Sequence, residues 1–294
     1  MKSGFVSLVG RPNVGKSTLL NSILNRKIAI TSNVSGTTRN IIEGVYNDND
    51  SQIVFVDTPG IHKPQNKLGT YLNKKAYTMA EDVDIILFLI DVEKGFGKGD
   101  NFILERLKEL KKPVILLLNK IDRIRKDKLL ELINSYKDLY DFNEIIPISA
   151  LNGINVDDLM KTLKKYLTDD IKYFGDETIT NVSNKFLVSE LVREKVLRLT
   201  KDEVPHSVTC YVETWDEEES IINIGVLIVV DRESLKKIII GKNGSMLKNI
   251  GMKARSDIEE LLGKKVFLST YVKTINNWRD REKYLTEFGL KELE

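Results

Sequence analysis

The sequence predicts an α/β chain in two parts: a mostly parallel sheet wrapped by helices, then a smaller α+β unit. Three observations predict it. Apolar runs of strand length alternate with helix-period patterns over the first 167 residues. The order of elements changes after that. The length, 294 residues, exceeds what one small domain uses.

The strand-like runs lie at 5–9, 41–46, 53–57, 85–91, 114–119 and 145–148. Helical patterns fall at 16–25, 68–81, 101–110, 127–139 and 156–167. The last carries apolar residues at 156, 159, 160, 163 and 167, one face of a helix. Alternation of this kind requires crossover helices on both faces of a parallel sheet. Residues 168–183 are polar, contain Gly175 and show no period. The expected domains are therefore a nucleotide domain at 1–170, a linker at 171–183 and a second domain at 184–294. The second reads as a helix at 186–199, strands at 207–214 and 221–230, helices at 232–240 and 245–262, a strand at 265–274 and a final helix at 278–288.

Apolar residues make up 41% of the chain, enough for two cores, and charged residues 30%, which argues against a membrane protein. The longest apolar runs, such as 85–90, are far short of a membrane span. The first residues lack an extended apolar segment before a small-residue site, so no signal peptide is expected. Cys210 is the single cysteine and excludes an internal disulfide, which fits a reducing, cytoplasmic compartment. The net charge of +2 points to no partner. Local charge says more: from Arg232 to Lys273 there are ten Lys/Arg against four Asp/Glu, whereas 213–219 holds five acidic residues. This sign reversal suggests one basic and one acidic face.

The first strand runs into Gly10-Arg11-Pro12-Asn13-Val14-Gly15-Lys16-Ser17-Thr18, and a helix follows. This is G-x-x-x-x-G-K-[ST] in its proper context. Glycines let backbone N–H groups turn toward phosphates, and the helix N-terminus adds its dipole. Lys16 is expected on the β- and γ-phosphates and Ser17 on Mg²⁺. Asn119-Lys120-Ile121-Asp122 decides the base. A carboxylate at Asp122 can accept from guanine N1–H and the 2-amino group together, whereas adenine leaves it unpaired. Polar pairing of this kind discriminates by roughly four orders of magnitude. Asn119 can tie neighbouring loops, and Ser149-Ala150-Leu151 follows the next strand, where a backbone N–H can meet guanine O6.

Asp57-Thr58-Pro59-Gly60 follows the third strand. Asp57 is expected to hold Mg²⁺ through water, and Gly60 to bring a backbone N–H to the γ-phosphate. Thr37 and Thr38 lie between the phosphate loop and the next strand; Thr38 is preferred as the residue sensing Mg²⁺ and the γ-phosphate. These stretches are expected to order with GTP and relax after hydrolysis. Catalytic work is thus assigned to Lys16, Thr38, Asp57 and Gly60. Ile61 stands where classical small GTPases carry a water-orienting glutamine, so intrinsic hydrolysis should be slow. His62 and Lys63 come next, and His62 reads as a structural loop residue rather than a base. The loop G-x-x-N-x-G-K-S resembles that of GTPases that use potassium near the phosphates. Asn13 is thus either a potassium ligand or an ordinary variable position.

In the second part, Ile240-Gly241-Lys242-Asn243-Gly244 lies between two consecutive helices. A G-x-x-G loop so placed clamps the backbone of about four single-stranded nucleotides in KH domains. Lys242 adds charge, Lys248 stands in the next helix, and the isoleucines at 238–240 should anchor the loop.

With these motifs, with Thr37-Thr38-Arg39, with Gly60-Ile61-His62-Lys63-Pro64 and with the tail Trp278-Arg279-Asp280 to Phe288-Gly289-Leu290, the chain resembles the Era family of ribosome-assembly GTPases over essentially its whole length. Leu290 departs from the aromatic residue usual there. The resemblance implies a phosphate-loop GTPase domain followed by a type II KH domain. It implies GTP and GDP as ligands, Mg²⁺ as cofactor, and binding near the 3′ end of small-subunit ribosomal RNA. A role in maturation of the small ribosomal subunit is implied too, with some peripheral contact at the inner face of the cell membrane; DNA is not an expected partner.

Overall fold

The computed structural model describes residues 1–34, 36–61, 64 and 66–290. His62 and Lys63 lie outside the described residues. The chain divides into two compact units. The first comprises Met1–Ala29, Thr38–Lys63 and Leu72–Asn181; the second comprises Ile30–Thr37, Pro64–Tyr71 and Val182–Glu294.

The first unit runs β1 (Lys2–Gly10), α1 (Lys16–Leu24), β2 (Ile42–Asn47), β3 (Ser51–Asp57), α2 (Lys67–Glu81), β4 (Ile85–Asp91), α3 (Lys98–Leu110), β5 (Val114–Asn119), α4 (Lys126–Tyr136), β6 (Glu144–Ile148) and α5 (Val156–Tyr166). The six strands order as β2-β3-β1-β4-β5-β6. Only the β2–β3 pair is antiparallel. β4 and β5 are buried along their whole length, which is why they read as unbroken apolar runs rather than alternations. The strand order reverses at β1, so the loops after β1, β3 and β5 open on one crevice at the carboxyl ends of the strands. Residues 168–181, polar and aperiodic, fasten along the sheet. Ser3 N–H donates to Asp169 O at 2.8 Å, and Val45 N–H to Ile179 O at 2.8 Å. The buried Gln52 side chain accepts from the N–H groups of Tyr173 and Phe174 at 2.7 and 2.9 Å. Backbone bonds and the polar side chains of Gln52, Asn47, Thr180 and Asn181 do this work, which leaves no apolar period to read.

The second unit holds α6 (Asn184–Leu199), α7 (Val204–Ser207), β7 (Thr209–Glu217), β8 (Ile221–Val230), α8 (Glu233–Ile240), α9 (Ser245–Leu262), β9 (Lys265–Thr274) and α10 (Glu282–Glu287). Its sheet orders as β7-β8-β9, with β7 antiparallel and β9 parallel to β8. Val188 and Val192 of α6, Ile239 of α8, and Ile250, Ala254 and Ile258 of α9 share one core with Ile222, Ile224, Val226 and Ile228 of β8. The expected strand at 207–214 begins later, because Pro205 opens the four-residue α7. The expected helix at 278–288 is instead a 3₁₀ turn, Trp278–Asp280, followed by α10. Arg281 between them is extended, and Trp278 is fully buried with its Nε1–H on Ser207 O at 2.8 Å.

Segment Ile30–Thr37 packs within this second unit. Arg193 donates to the Thr37 carbonyl, and Thr31 N–H donates to Glu194 at 3.0 Å. Arg198 holds the Thr31 carbonyl at 3.1 Å. Arg193 and Glu194 are both fully buried. α6 is covered on almost every side, so its sequence shows little amphipathic contrast.

Candidate nucleotide site and G-x-x-G loop

The phosphate loop leaves β1 at Gly10 and enters α1 through Gly15, whose φ of 105° is left-handed. A Cβ there would stand 2.2 Å from Asn119 Nδ2, so glycine is required on two counts. Asn119 is the tie between three loops. It donates to Val14 O at 2.7 Å and accepts from Lys120 N–H at 2.8 Å and Ala150 N–H at 3.0 Å. Lys120 donates to Asn13 O at 2.9 Å and pairs with Asp91 at 2.6 Å. Ser149 donates to Asp122 at 2.5 Å, which brings the two base-side loops together and leaves Asp122 at the surface. The Ala150 N–H is committed to Asn119, and Leu151 is exposed.

Lys16 is buried and donates to the carbonyls of Gly10 and Arg11 at 3.1 and 3.2 Å. Burial lowers its pKa to about 8, opposed by the nearby Asp57 charge. Burial raises Asp57 to about 6, against the Lys16 charge and the hydroxyls of Ser17 and Thr38. Ser17 donates to Asp57 Oδ2 at 2.6 Å and lies 2.9 Å from the Thr38 hydroxyl. Asp57 Oδ1 is buried with no hydrogen-bond partner among the described residues. One orphaned carboxylate oxygen beside two hydroxyl oxygens is a hard donor set that fits Mg²⁺. Thr37 does not join this group: its hydroxyl bonds Ser32 and the Val34 carbonyl, each at 2.6 Å, within the second unit.

Thr58 donates to Leu8 O at 2.8 Å, which fixes the turn after β3. At Gly60 a Cβ would stand 2.8 Å from Pro12 N, so this glycine lets the turn close against the phosphate loop. Ile61 turns its side chain into the core beside Val9 and Val56. Two carboxylates escaped the motif reading. Asp91 ends β4 and holds Lys120; Asp100, fully buried, pairs with Arg11 at 2.7 Å and caps Gly97 N–H at 2.9 Å. Each sits inside an apolar or helical pattern with no spacing of its own; the Gly97-x-Gly99-Asp100 cluster was the one local signal. A Cβ at Gly99 would lie 2.7 Å from Arg11 Cδ.

In the second unit, α8 ends at Gly241, with φ of 72°. Its Cβ would meet Met246 N at 2.9 Å. Asn243 and Gly244 are also left-handed, and α9 starts at Ser245. Lys242, Asn243 and Lys248 project to solvent. Of the isoleucine run, Ile239 is buried, Ile240 half-buried and Ile238 exposed, so one residue rather than three anchors the loop.

Residues 5–120 match the family model described as a 50S ribosome-binding GTPase, and residues 203–279 match the KH domain model. Over 99% of both chains, at 43% identity and a TM-score of 0.96, the fold is similar to a variant of Aquifex aeolicus Era bound to GDP and aluminium fluoride. With the same identity, coverage and TM-score, it is similar to Era in complex with Mg-GDPNP and nucleotides 1506–1542 of 16S ribosomal RNA. The chain belongs to the Era family. It is a GTPase with a C-terminal KH domain, and the expected fold class holds in both parts. Among the described residues of this Era-family chain, no helix is long and apolar enough to cross a membrane.

Proposed function

We propose that this chain is a GTP-driven switch that binds single-stranded RNA near the 3′ end of small-subunit ribosomal RNA and acts in maturation of the small ribosomal subunit. The observation that carries the switch is the cluster of buried Lys16 and Asp57 with half-buried Ser17 and Thr38, and its orphaned carboxylate oxygen. Residues 10–18 cradle the phosphates, and Lys16 leaves the loop carbonyls for the β- and γ-phosphate oxygens. Asp122 reads guanine, while Asn119, Lys120 and the loop 149–151 hold its wall. Mg²⁺, held by Ser17, Thr38 and Asp57, supplies charge neutralisation at the transferred phosphoryl group. Thr38 and Gly60 report the γ-phosphate. Ile61, packed in the core, does not orient water, so hydrolysis is slow until a partner or a potassium ion near Asn13 adds charge. Ile240, Gly241, Lys242, Asn243, Gly244 and Lys248 hold the RNA. A cytoplasmic location agrees with the single cysteine, and peripheral contact at the inner membrane face follows the family resemblance.

Xanthine carries a carbonyl where guanine has its 2-amino group, so Asp122→Asn should move preference from GTP to XTP. Phosphate release is measured for wild type and variant with each nucleotide, with Mg²⁺ or chelator, in potassium or sodium salts. The expected result is Mg²⁺-dependent GTP hydrolysis by wild type, faster in potassium, and XTP hydrolysis by the variant. Equal loss of both nucleotides with the fold intact overturns the base assignment.

A further inference from the structure

β9 is the edge strand of the second sheet, and its residues alternate. Val266, Leu268 and Val272 pack into the core with α8 and α9. Lys265, Phe267, Ser269, Tyr271 and Lys273 therefore point from the opposite face, which is open along β9 although Leu227 and Val229 of β8, on the same face, are buried. Phe267 is 59% exposed and Tyr271 56%. Large exposed rings on an edge strand invite unwanted pairing, so their presence calls for a use. Their Cα atoms are four residues apart, about 13 Å along the strand. The floor between them is flat: Ser269 is in register with Gly225, where a Cβ would stand 2.4 Å from Thr214 Oγ1. Lys265 and Lys273 flank the rings and make no ion pair among the described residues. On the far strand, Asp216 shares this face, in register with Asn223, and Glu218 accepts from Asn223 Nδ2 at 2.9 Å, while Glu217, on the other face, pairs with Lys264 at 2.7 Å. The basic, aromatic track thus follows β9 itself.

We propose that this open face is a second single-stranded RNA platform, on which Phe267 and Tyr271 stack bases and Lys265 and Lys273 meet phosphates. It rests on the RNA reading of the G-x-x-G loop and lies on the sheet face opposite the α8–α9 layer that carries that loop. Here two rings stand apart across a polar floor between two ammonium groups, the arrangement that combines stacking with backbone charge.

The test uses the full chain and fluorescence anisotropy at fixed salt, with a single-stranded RNA tetramer and a twelve-mer that contains it. Wild type should bind the twelve-mer at least about tenfold more tightly than the tetramer. Phe267→Leu with Tyr271→Leu keeps apolar bulk but removes both π-faces. It should lose about tenfold or more for the twelve-mer and nothing for the tetramer, while Phe267→Trp retains wild-type affinity. Equal twelve-mer affinity in wild type and double leucine variant overturns the platform and leaves the loop intact. Absence of binding to either RNA by wild type overturns both readings.

Discussion

At the scale of single residues, the nucleotide site depends on side chains that are missing as much as on those present. Gly15 is left-handed and touches Asn119, whereas Gly153, with φ of 69°, has open space where its Cβ would be. Gly15→Ala combines backbone strain with a clash against the side chain that ties three loops. It should cost about 2 kcal/mol in GDP binding, close to thirtyfold in affinity. Gly153→Ala carries the strain without the clash and should leave GDP affinity within about threefold of wild type. Calorimetric titration of both variants checks this, and equal losses would show that the Gly15–Asn119 approach is not what sets affinity. Lys16 and Asp57 show the complementary effect. Burial penalises both charges, so phosphate and metal charge arriving at the site relieve a cost already present in the fold.

At the scale of elements, α6 bears an unusual charge load for a buried helix. Arg193 pairs with Glu190 at 2.6 Å and grips the Thr37 carbonyl, with its guanidinium out of solvent. Removing one member of a buried pair strands the other, whereas removing both is far cheaper. Arg193→Met should therefore destabilise the second unit by about 3 kcal/mol, and adding Glu190→Gln should return more than half of that. Trp215 and Trp278 are the only tryptophans and both lie in the second unit, so urea unfolding followed by their fluorescence reports on it directly. A double variant no more stable than the single would show that the Thr37 contact, not the ion pair, dominates.

At the scale of the molecule, two cores with separate membership suggest two binding activities that can be removed one at a time. Lys16→Ala deletes the charge on the β- and γ-phosphates and should abolish GTP hydrolysis while leaving tetramer RNA affinity within about twofold. Replacing Lys242 and Asn243 by aspartates should do the reverse. It turns the loop charge against RNA, lowers affinity by about a hundredfold or more, and leaves RNA-free hydrolysis unchanged. Phosphate release and RNA anisotropy on both variants decide the matter, and simultaneous loss of both activities in either variant would contradict separable sites. The salt dependence of RNA binding should be shallow, because one loop neutralises few phosphates.

The sequence by itself determined the parts whose physics is local. A glycine-rich turn between strand and helix, an N-K-x-D at the end of a buried strand, and G-x-x-G between two helices each depend on backbone conformations set within a few residues. They were legible without a fold, as was the alternation that predicts a parallel sheet. Tertiary structure decided what depends on distant partners. It placed Thr38 rather than Thr37 beside Ser17 and Asp57, and turned Ile61 into the core. It recruited Asp91 and Asp100 to hold Lys120 and Arg11. It fastened the aperiodic residues 168–181 along the sheet through Gln52, and split the expected final helix around the buried Trp278. In each case a single hydrogen bond, ion pair or buried ring acts across many residues of chain, and interactions of that kind leave no period or spacing in the sequence.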